Sequence, residues 1–336
     1  MKHRLARTLA ASLLALCGSA LASYAEHPEA AGFIAEMHER HGFAPTEVRT
    51  QLQRATRNER VIELIRPPAQ TGERSWQRYR QRFLSDAHIR GGLRFWEENR
   101  STLAAASQRY GVPPEYIVSI IGVETNYGSY TGNFETLSAL ATLAFDHPPR
   151  APLFRRELEN LLLLAREQER DPASYRGSYA GALGYPQFLP SSIRAYAVDF
   201  DGDGRIDFES GPVDAIGSVA NYFAVHGWQS GQPVASRVAF PPEVDPAPLI
   251  QAGIEPALET GTLQSLGFVG LGSSIHPGLA TLFDLPTPSA DTQYWLGYRN
   301  FYVITRYNRS SFYAMAVFEL AETLRHRFER QQQAAR

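Results

Sequence analysis

The chain has 336 residues, with 33 Lys and Arg against 35 Asp and Glu, so its formal net charge at pH 7 is −2. A charge this close to neutral lacks the basic excess that binding to nucleic acid or anionic lipid requires. Hydrophobic residues make up 43% and charged residues 20%. This composition excludes a disordered or fibrous protein and allows a large core divided among two or three subdomains.

The first 22 residues have the pattern of a secretory signal peptide. Lys2, Arg4 and Arg7 form a positive segment, an apolar run covers residues 9–16, and residues 20–22 form a small-x-small cleavage motif. The whole apolar run over residues 9–22 is too short to span a bilayer, which needs roughly 20 residues. The order of the charges favours a signal peptide over the alternative, a buried N-terminal helix.

Cys17, the single cysteine of the sequence, lies within this segment. Leu16 precedes it where lipoprotein signals have a small residue, so we predict a soluble exported protein with no lipid anchor at Cys17. After cleavage the chain has no cysteine. This excludes disulfides, thiolate metal sites and a thiol nucleophile.

Residues 23–105 are predicted to form a helical domain. Apolar side chains recur at helical spacing over three stretches, residues 33–37, 48–52 and 61–65. Residues 93–110 are predicted to form one further helix, ended by Gly111.

Residues 106–230 are predicted to contain several helices and one irregular loop. Pro113 and Pro114 mark one helix start. Further helices are predicted over residues 134–145, 153–170 and 215–226, with a loop over residues 199–214.

Residues 231–296 are predicted to form a small β-rich domain. Nine of the chain's 22 prolines lie between residues 231 and 290, which excludes long helices there. Short strands are predicted over residues 234–240 and 262–269. Residues 297–336 are predicted to return to the core and the helical domain as a strand over 298–305 and a helix to about residue 330, capped by Ser310 or Ser311.

A carboxylate stands at a position where the helical pattern calls for an apolar residue. Ile117, Ile120, Ile121 and Glu124 follow the spacing of one buried helical stripe. Burial and the negative end of the helix both penalise the charged form of Glu124, which raises its pKa as a general acid requires. The alternatives are a buried Glu paired with an Arg, or a Glu in solvent just past the helix end.

Two segments near this acid have a composition that suits a sugar-binding cleft. Residues 125–130 and 177–188 combine glycine with Tyr, Ser, Asn and Gln. Amide and hydroxyl hydrogen bonds together with aromatic faces are what hold sugars, although each Tyr taken singly fits a core or surface position as well.

Residues 199–207 match the start of an EF-hand calcium loop. Asp199, Asp201 and Asp203 supply three side-chain oxygens, Gly204 permits the turn, and Arg205 offers its carbonyl. Position 12 is Ser210 in place of the usual Glu. Three acids are candidates to close the longer loop, namely Asp214, Asp207 and Glu209. We predict a structural cation that offsets the missing disulfides.

Taken together, residues 122–128, residues 181–192 and the acidic loop running into residues 212–223 closely resemble the lytic transglycosylase B family of bacterial murein-degrading enzymes. The resemblance implies a predominantly helical α+β fold, in which a lysozyme-like core over 106–230 is flanked by the helical and β-rich domains. It also implies one Ca²⁺ bound in the EF-hand-like loop and a location in the periplasm.

The resemblance further implies roles for individual residues. Glu124 is the sole catalytic acid and base. The implied substrate-binding residues are Ser178, Gln187, Tyr222, Tyr307, Asn308 and Tyr313, together with Tyr79 from the helical domain. The implied calcium ligands are Asp199, Asp201, Asp203, the carbonyl of Arg205, and Asp214.

The implied reaction is non-hydrolytic cleavage of the β-1,4 bond between N-acetylmuramic acid and N-acetylglucosamine, which leaves a 1,6-anhydromuramoyl end. The expected partners are peptidoglycan glycan strands, with cell-wall synthases or divisome proteins as further candidates for a monomeric enzyme. Two alternatives stay open: a hydrolytic muramidase, with Glu135 or Asp146 as the acids nearest in sequence, and a non-catalytic peptidoglycan-binding module.

Overall fold

The computed structural model describes residues 23–67, 73–288 and 290–334. The predicted signal peptide and Cys17 therefore lie outside the described residues. By backbone contacts the chain separates into two units, residues 1–57 and residues 58–336. The sequence-based domain boundaries at 105, 230 and 296 stay a prediction.

The described part of the first unit contains two α-helices, α1 (Ala30–His41) and α2 (Pro45–Arg54). Gly42 ends α1 in the left-handed conformation, with φ of 65°, and its N–H donates to the carbonyls of the last turn. Pro45 begins α2 at a position where no N–H is needed. Phe33, Met37 and Leu52 are among the buried side chains, as their helical spacing predicts.

The second unit is mainly helical. Its helices are α3 (Glu59–Ile65), α4 (Trp76–Arg80), α5 (Asp86–Glu98), α6 (Arg100–Tyr110), α7 (Pro114–Thr125), α8 (Thr136–Asp146), α9 (Ala151–Glu167), α10 (Pro190–Tyr196), α11 (Val213–Val225), α12 (Ala247–Gln251), α13 (Thr260–Ser265), α14 (Arg299–Tyr307) and α15 (Ser311–Ala334). Among the helices of the described residues, none combines the length and apolar character needed to cross a membrane.

The strands form two antiparallel sheets. They are β1 (Phe134–Glu135), β2 (Arg176–Gly177), β3 (Ala235–Ala239), β4 (Leu258–Glu259), β5 (Val269–Gly270), β6 (Leu279–Thr287) and β7 (Ala290–Gly297). β1 pairs with β2, and the other five follow the order β4-β6-β7-β3-β5. One face of the larger sheet carries a buried cluster that includes Val238, Leu282 and Leu296, closed by Leu263 and Phe268.

α7 lies at the centre of the second unit, in contact with α5, α6, α11 and α15. Ile117, Ile120 and Ile121 are all 0% exposed, so the predicted buried stripe is confirmed. Truncating a fully buried Ile of this kind to Ala costs about 2–5 kcal/mol, which shows how firmly the packing fixes this helix.

The predicted single helix over 93–110 is wrong, because the structure breaks it at Asn99 into α5 and α6. The Asn99 side chain donates to the carbonyl of Phe95 at 2.9 Å. Asn competes with the helical hydrogen-bond pattern in this way, so one residue ends the first helix and starts the second.

Two predicted strands are also wrong. Residues 298–305 form α14, in which Phe301, Val303 and Ile304 are fully buried. The buried Asn300 anchors this helix by hydrogen bonds to the backbone of Gln229 and Gln232. Packing therefore outweighs the strand preference of the β-branched and aromatic residues.

The first half of residues 262–269, the other predicted strand, lies in the short helix α13, which buries Leu263, and only Val269 lies in a strand, β5. The strand over 234–240 is confirmed as β3. β6 and β7 were not predicted. The final helix is capped by Ser310, whose Oγ accepts from the N–H of Tyr313 at 3.3 Å, and it extends past residue 330 to Ala334.

Candidate active site

Glu124 lies in the last turn of α7, where the buried helix emerges at a cleft. The helix ends at Asn126 and Tyr127, which both adopt the left-handed conformation, with φ of 49° and 60°. Asn is one of the few non-glycine residues that tolerates this conformation at a helix end. The side chain of Glu124 is half-buried, so the carboxyl group is held in the wall of the cleft.

Burial raises the pKa of Glu124 from its ordinary value of 4.5 to about 7, and the hydrogen bond from Tyr313 lowers it only in part. Tyr313 comes from α15, is 3% exposed, and donates its phenolic O–H to Glu124 Oε1 at 2.6 Å. A carboxyl group with a pKa near 7 can both give and accept a proton at neutral pH. This is the behaviour that the sequence pattern predicted for Glu124.

Tyr79 and Tyr307 also lie near this carboxyl group. Burial raises the pKa of both phenols, and the charge of Glu124 adds to the rise in each. The Tyr307 O–H donates to the carbonyl of Pro186 at 2.7 Å, which fixes its ring at the cleft. Tyr79 packs against Trp76 and Phe312, with ring centroids 6.2 and 5.6 Å away. The structure thus brings Tyr79, Tyr307 and Tyr313 together around the acid.

Tyr222 has a different place from the one expected of a residue lining the cleft. It is 7% exposed, its O–H donates to the carbonyl of Arg306 at 2.7 Å, and its ring lies 4.9 Å from that of Tyr307. These contacts support the ring of Tyr307. Asn308, at the end of α14, is exposed.

Ser178 and Gln187 belong to the irregular segment that follows β2. Ser178 Oγ accepts from the N–H of Ala182 at 3.0 Å, so this hydroxyl holds a tight turn. Gln187 Nε2 donates to the carbonyls of Thr131 and Gly184 at 3.0 and 2.9 Å. Because both donated bonds come from the amide nitrogen, the amide oxygen of Gln187 is oriented away from these carbonyls.

An open cavity of about 430 Å³ lies beside Glu124, and we call it the Glu124 cavity. It is lined by two segments and one further residue, namely Arg82, Phe83, Ser85, Ala87 and His88, then residues 122–126, and Tyr130. Glu124 is the only acid among them. Sequence reasoning missed Arg82 and its neighbours, because they lie between two helices and follow no apolar period.

The ring of Tyr127 occupies a slot formed by three glycines. A Cβ atom added to Gly122 would lie 2.6 Å from a carbon of this ring, one added to Gly92 would lie 2.6 Å from the Tyr127 hydroxyl oxygen, and one added to Gly91 would lie 3.1 Å from the ring. Gly91 and Gly92 belong to α5 and Gly122 to α7. The Tyr127 O–H is buried without a hydrogen-bond partner, so shape holds the ring in place.

The acidic loop brings the carboxylates of Asp199, Asp201 and Asp203 together, with one oxygen from each within 4.8 Å of the others. The N–H of Gly204 donates to Asp199 at 2.8 Å and lowers the pKa of that carboxyl group. Three convergent carboxylate oxygens are the ligand chemistry that Ca²⁺ prefers, so these residues fit a hard cation. Arg205 follows directly, and its N–H donates to Asp203 Oδ1 at 2.8 Å.

The candidates to close the loop have other contacts. Asp214 is 4% exposed, and its two oxygens accept from the N–H groups of Phe200 and Asp207 at 2.7 and 2.8 Å. A carboxylate oxygen that accepts one hydrogen bond keeps a further lone pair, so these bonds leave Asp214 able to ligate. Asp207 accepts from the N–H of Glu209, and Glu209 pairs with Arg170 at 2.9 Å.

A fold in which a buried helix ends in a half-buried acid beside an aromatic cleft defines an enzyme of the lysozyme-like, glycan-cleaving class. Residues 25–322 match the family described as the Transglycosylase SLT domain, and the chain belongs to this family. It is 42% identical over 310 residues to the membrane-bound lytic murein transglycosylase B of Escherichia coli, an alignment that covers 90% of this chain and 84% of the relative.

Solved structures agree with this assignment. The catenated lytic transglycosylase SltB1 from Pseudomonas aeruginosa is 46% identical, with a TM-score of 0.85 over 91% of this chain and 99% of the other. The Escherichia coli lytic transglycosylase Slt35 in complex with calcium is 41% identical, with a TM-score of 0.80 over 91% of this chain and 95% of the other.

The chain is therefore a lytic transglycosylase, a lyase that cleaves peptidoglycan without hydrolysis. The family resemblance, the predominantly helical lysozyme-like α+β fold and the enzyme class predicted from the sequence are confirmed.

Proposed function

We propose that Glu124 acts alone as catalytic acid and base, cleaves the β-1,4 bond between N-acetylmuramic acid and N-acetylglucosamine, and leaves a 1,6-anhydromuramoyl end. The observation that carries this proposal is the place of Glu124 at the end of α7, in the cavity wall and hydrogen-bonded to Tyr313, where burial raises its pKa to about 7. Ordinary glycosidases use two carboxyl groups. Since Glu124 is the only acid among the described residues that line its cavity, a mechanism with one carboxyl group fits the site better.

The reaction has two steps that leave Glu124 unchanged. In the first step Glu124 gives its proton to the oxygen of the leaving N-acetylglucosamine, while the N-acetyl oxygen of the muramoyl sugar assists at C1. In the second step the Glu124 carboxylate takes the proton of the muramoyl 6-hydroxyl, and the oxygen of this hydroxyl attacks C1 of the same sugar and displaces the N-acetyl oxygen. No water is consumed. Holding the 6-hydroxyl in place supplies much of the rate enhancement.

The remaining predicted residues fit positioning roles. Tyr307 offers its ring beside the acid, and Gln187 has an amide oxygen free of the two carbonyls it binds. Asn308 and Ser178 are proposed to hold the N-acetyl group and the sugar, and Tyr79 to face it from α4. Tyr222 is proposed to act through Tyr307, because its own hydroxyl is engaged by the backbone of Arg306.

Replacing Tyr313 with Phe is expected to move the alkaline limb of the activity profile to higher pH. The Tyr313 O–H stabilises the charged carboxyl group, so its loss raises the pKa of Glu124 further above 7. The first step needs the protonated acid, and kcat/KM therefore falls as pH rises through this pKa. A hydrogen bond to a charged group is worth about 1.5 kcal/mol or more, which corresponds to a shift of about one pH unit.

The matched control for this experiment is Tyr307→Phe. The Tyr307 hydroxyl donates to a backbone carbonyl and not to Glu124. The alkaline limb of the Tyr307→Phe activity profile should therefore stay near pH 7, whatever happens to the rate. An unshifted limb in the Tyr313→Phe enzyme would contradict the role given to this hydrogen bond.

The mass of the products separates this function from a hydrolytic muramidase. Digestion of purified murein sacculi should release muropeptides with anhydro ends, each lighter by one water than the corresponding reducing end. Reducing ends as the main product would favour the muramidase. Of its two candidate second acids, Glu135 accepts a hydrogen bond from Ser138 at 3.1 Å, and neither Glu135 nor Asp146 lines the Glu124 cavity.

We further propose that the three clustered aspartates hold a structural Ca²⁺, with the Arg205 carbonyl and Asp214 as the other ligands. The convergence of Asp199, Asp201 and Asp203 supports this proposal, as does the calcium complex of the relative Slt35. A bound cation there would offset the mutual repulsion of the carboxylates and hold the start of α11.

The pattern of residues 1–22 supports export to the periplasm, where the glycan substrate is. N-terminal sequencing of the protein recovered from a periplasmic extract should begin at Ser23. A mature N-terminus at a lipid-modified Cys17 would instead show that this chain is anchored.

A further inference from the structure

The Glu124 cavity has a cation on its rim whose role the catalytic steps leave unexplained. Arg82 is the only Arg or Lys that lines the cavity, its side chain is exposed, and it has no ion pair with any described acid. Its guanidinium lies 5.8 Å from the centre of the Tyr79 ring. An Arg left without an acidic partner at the edge of a substrate cavity is suited to binding an anionic group of the substrate.

Arg82 lies near Glu124 but is not a cause of its raised pKa. Arg82 and Glu124 both act on the pKa of Tyr79, in opposite directions, so both lie near that ring. The pKa of Glu124, however, is set by burial and by Tyr313 alone. Arg82 is therefore not among the causes of the raised pKa of Glu124.

A second polar side chain, His88, lies on the same wall of the cavity. His88 is only 9% exposed, and its Nε2 has no hydrogen-bond partner among the described residues. Burial lowers the pKa of the ring, and a hydrogen bond with Asn126 offsets this only in part. His88 belongs to the first turn of α5, and Ser85 caps this turn by accepting from the His88 N–H. The N-terminal end of a helix carries a partial positive charge. The acid of this turn, Asp86, lies outside the cavity lining and contacts Arg327 at 3.3 Å.

We propose that the Glu124 cavity binds a free carboxylate of the stem peptide on the muramoyl sugar being cleaved, with Arg82 as its ion-pair partner. This inference rests on the proposed function, because that function places the muramoyl sugar at Glu124. The stem peptide is attached to the same sugar ring whose C1 is attacked, so it leaves the ring next to the acid. Its free carboxylates are the anionic groups that the substrate offers at this point.

The test compares Arg82→Gln with the wild-type enzyme on matched glycan strands. One substrate has stem peptides with free carboxylates, the second has the same peptides with the carboxylates amidated, and the third has no peptides. Because a charge-assisted hydrogen bond is being removed, the ratio of kcat/KM on free-carboxylate strands to that on amidated strands should fall about tenfold in the variant. The change should come mainly from KM. Arg82→Lys should recover part of the ratio.

Arg78→Gln is the control, since this exposed Arg lies on the neighbouring α4 and does not line the cavity. For Arg78→Gln, the ratio of kcat/KM on free-carboxylate strands to that on amidated strands should equal the wild-type ratio. An Arg82→Gln ratio equal to the wild-type ratio would overturn the proposal, whether or not the overall rate falls. Product masses are recorded in the same assays, so a failure of the anhydro reaction itself would be seen on all three substrates and is distinguishable.

Discussion

Replacing Glu124 with Gln abolishes the release of anhydro muropeptides while the variant still binds peptidoglycan. The amide cannot give a proton to the leaving oxygen or take one from the 6-hydroxyl, and general acid–base catalysis contributes about 10²- to 10⁴-fold to a rate. Gln has nearly the shape of Glu and can still accept the hydrogen bond from Tyr313. The measurement is the yield of anhydro ends from sacculi, together with co-sedimentation of the variant with sacculi.

The control is Glu115→Gln. Glu115 is also a buried acid of α7, 8% exposed, with a pKa raised by burial, but it lies at the start of the helix and not at the cleft. The Glu115→Gln enzyme should still release anhydro muropeptides. Release by the Glu124→Gln enzyme at the wild-type rate would contradict the assignment, and loss of release in both variants would show damage to the helix instead.

The Glu124→Gln substitution should also stabilise the folded protein at alkaline pH. The folded-state pKa of Glu124 is about 7, above the ordinary value of 4.5, so the folded protein binds the extra proton between these values. The stability that the protonated Glu124 contributes to the folded state is fully present below pH 4.5 and is lost as the pH rises through 7. Allowing for the partial exposure of the carboxyl group, Glu124→Gln should gain about 1–2 kcal/mol above pH 7.

Thermal unfolding across pH measures this gain. The Tm difference between Glu124→Gln and the wild type should grow from pH 5 to pH 8. A difference that is constant with pH would contradict a raised pKa at Glu124.

Removal of calcium lowers the Tm of the wild-type protein. Three carboxylates converge at Asp199, Asp201 and Asp203, and a cation that binds only the folded state at 100 times its Kd stabilises that state by about 2.7 kcal/mol. In a chain of this size such a change corresponds to a Tm shift of several degrees. Unfolding is followed in chelator and in excess Ca²⁺.

Asp203→Asn should remove most of the difference between the two conditions. Glu209→Gln is the matched control, because this acid of the same loop pairs with Arg170 and should leave the calcium-dependent shift in place. Equal Tm values for the wild type in chelator and in Ca²⁺ would show that the loop has no stabilising cation.

The centre of the molecule could be predicted from the sequence because local rules and packing agree there. The stripe from Ile117 to Glu124 follows one helical period, and its helix is buried on every side. The acidic loop is equally local, since the three clustered aspartates and the other proposed ligands all lie within residues 199–214. Such features depend little on the rest of the fold.

The parts that sequence reasoning missed depend on contacts between distant segments. Residues 299–307 form a helix because Asn300 bonds to the backbone of residues 229 and 232, which no local pattern reveals. β7 has polar residues near its start and lies at the middle of its sheet because β3 and β6 pair with it. Arg82 reaches the Glu124 cavity only because α5 and the segment before it lie beside the end of α7.

The glycine slot around Tyr127 holds the end of α7, and so the position of Glu124, in a way that does not depend on the charge of Glu124. The ring is fixed by its fit against Gly91, Gly92 and Gly122, and its hydroxyl bonds to nothing. The end of α7 is therefore held through this ring by packing, which includes the His88 ring at 5.0 Å between centroids, and by no hydrogen bond of the phenol to a described residue. Glu124 can lose and regain its proton in every turnover while the last turn of its helix stays where it is, so the same atom that delivered one proton is in position to collect the next.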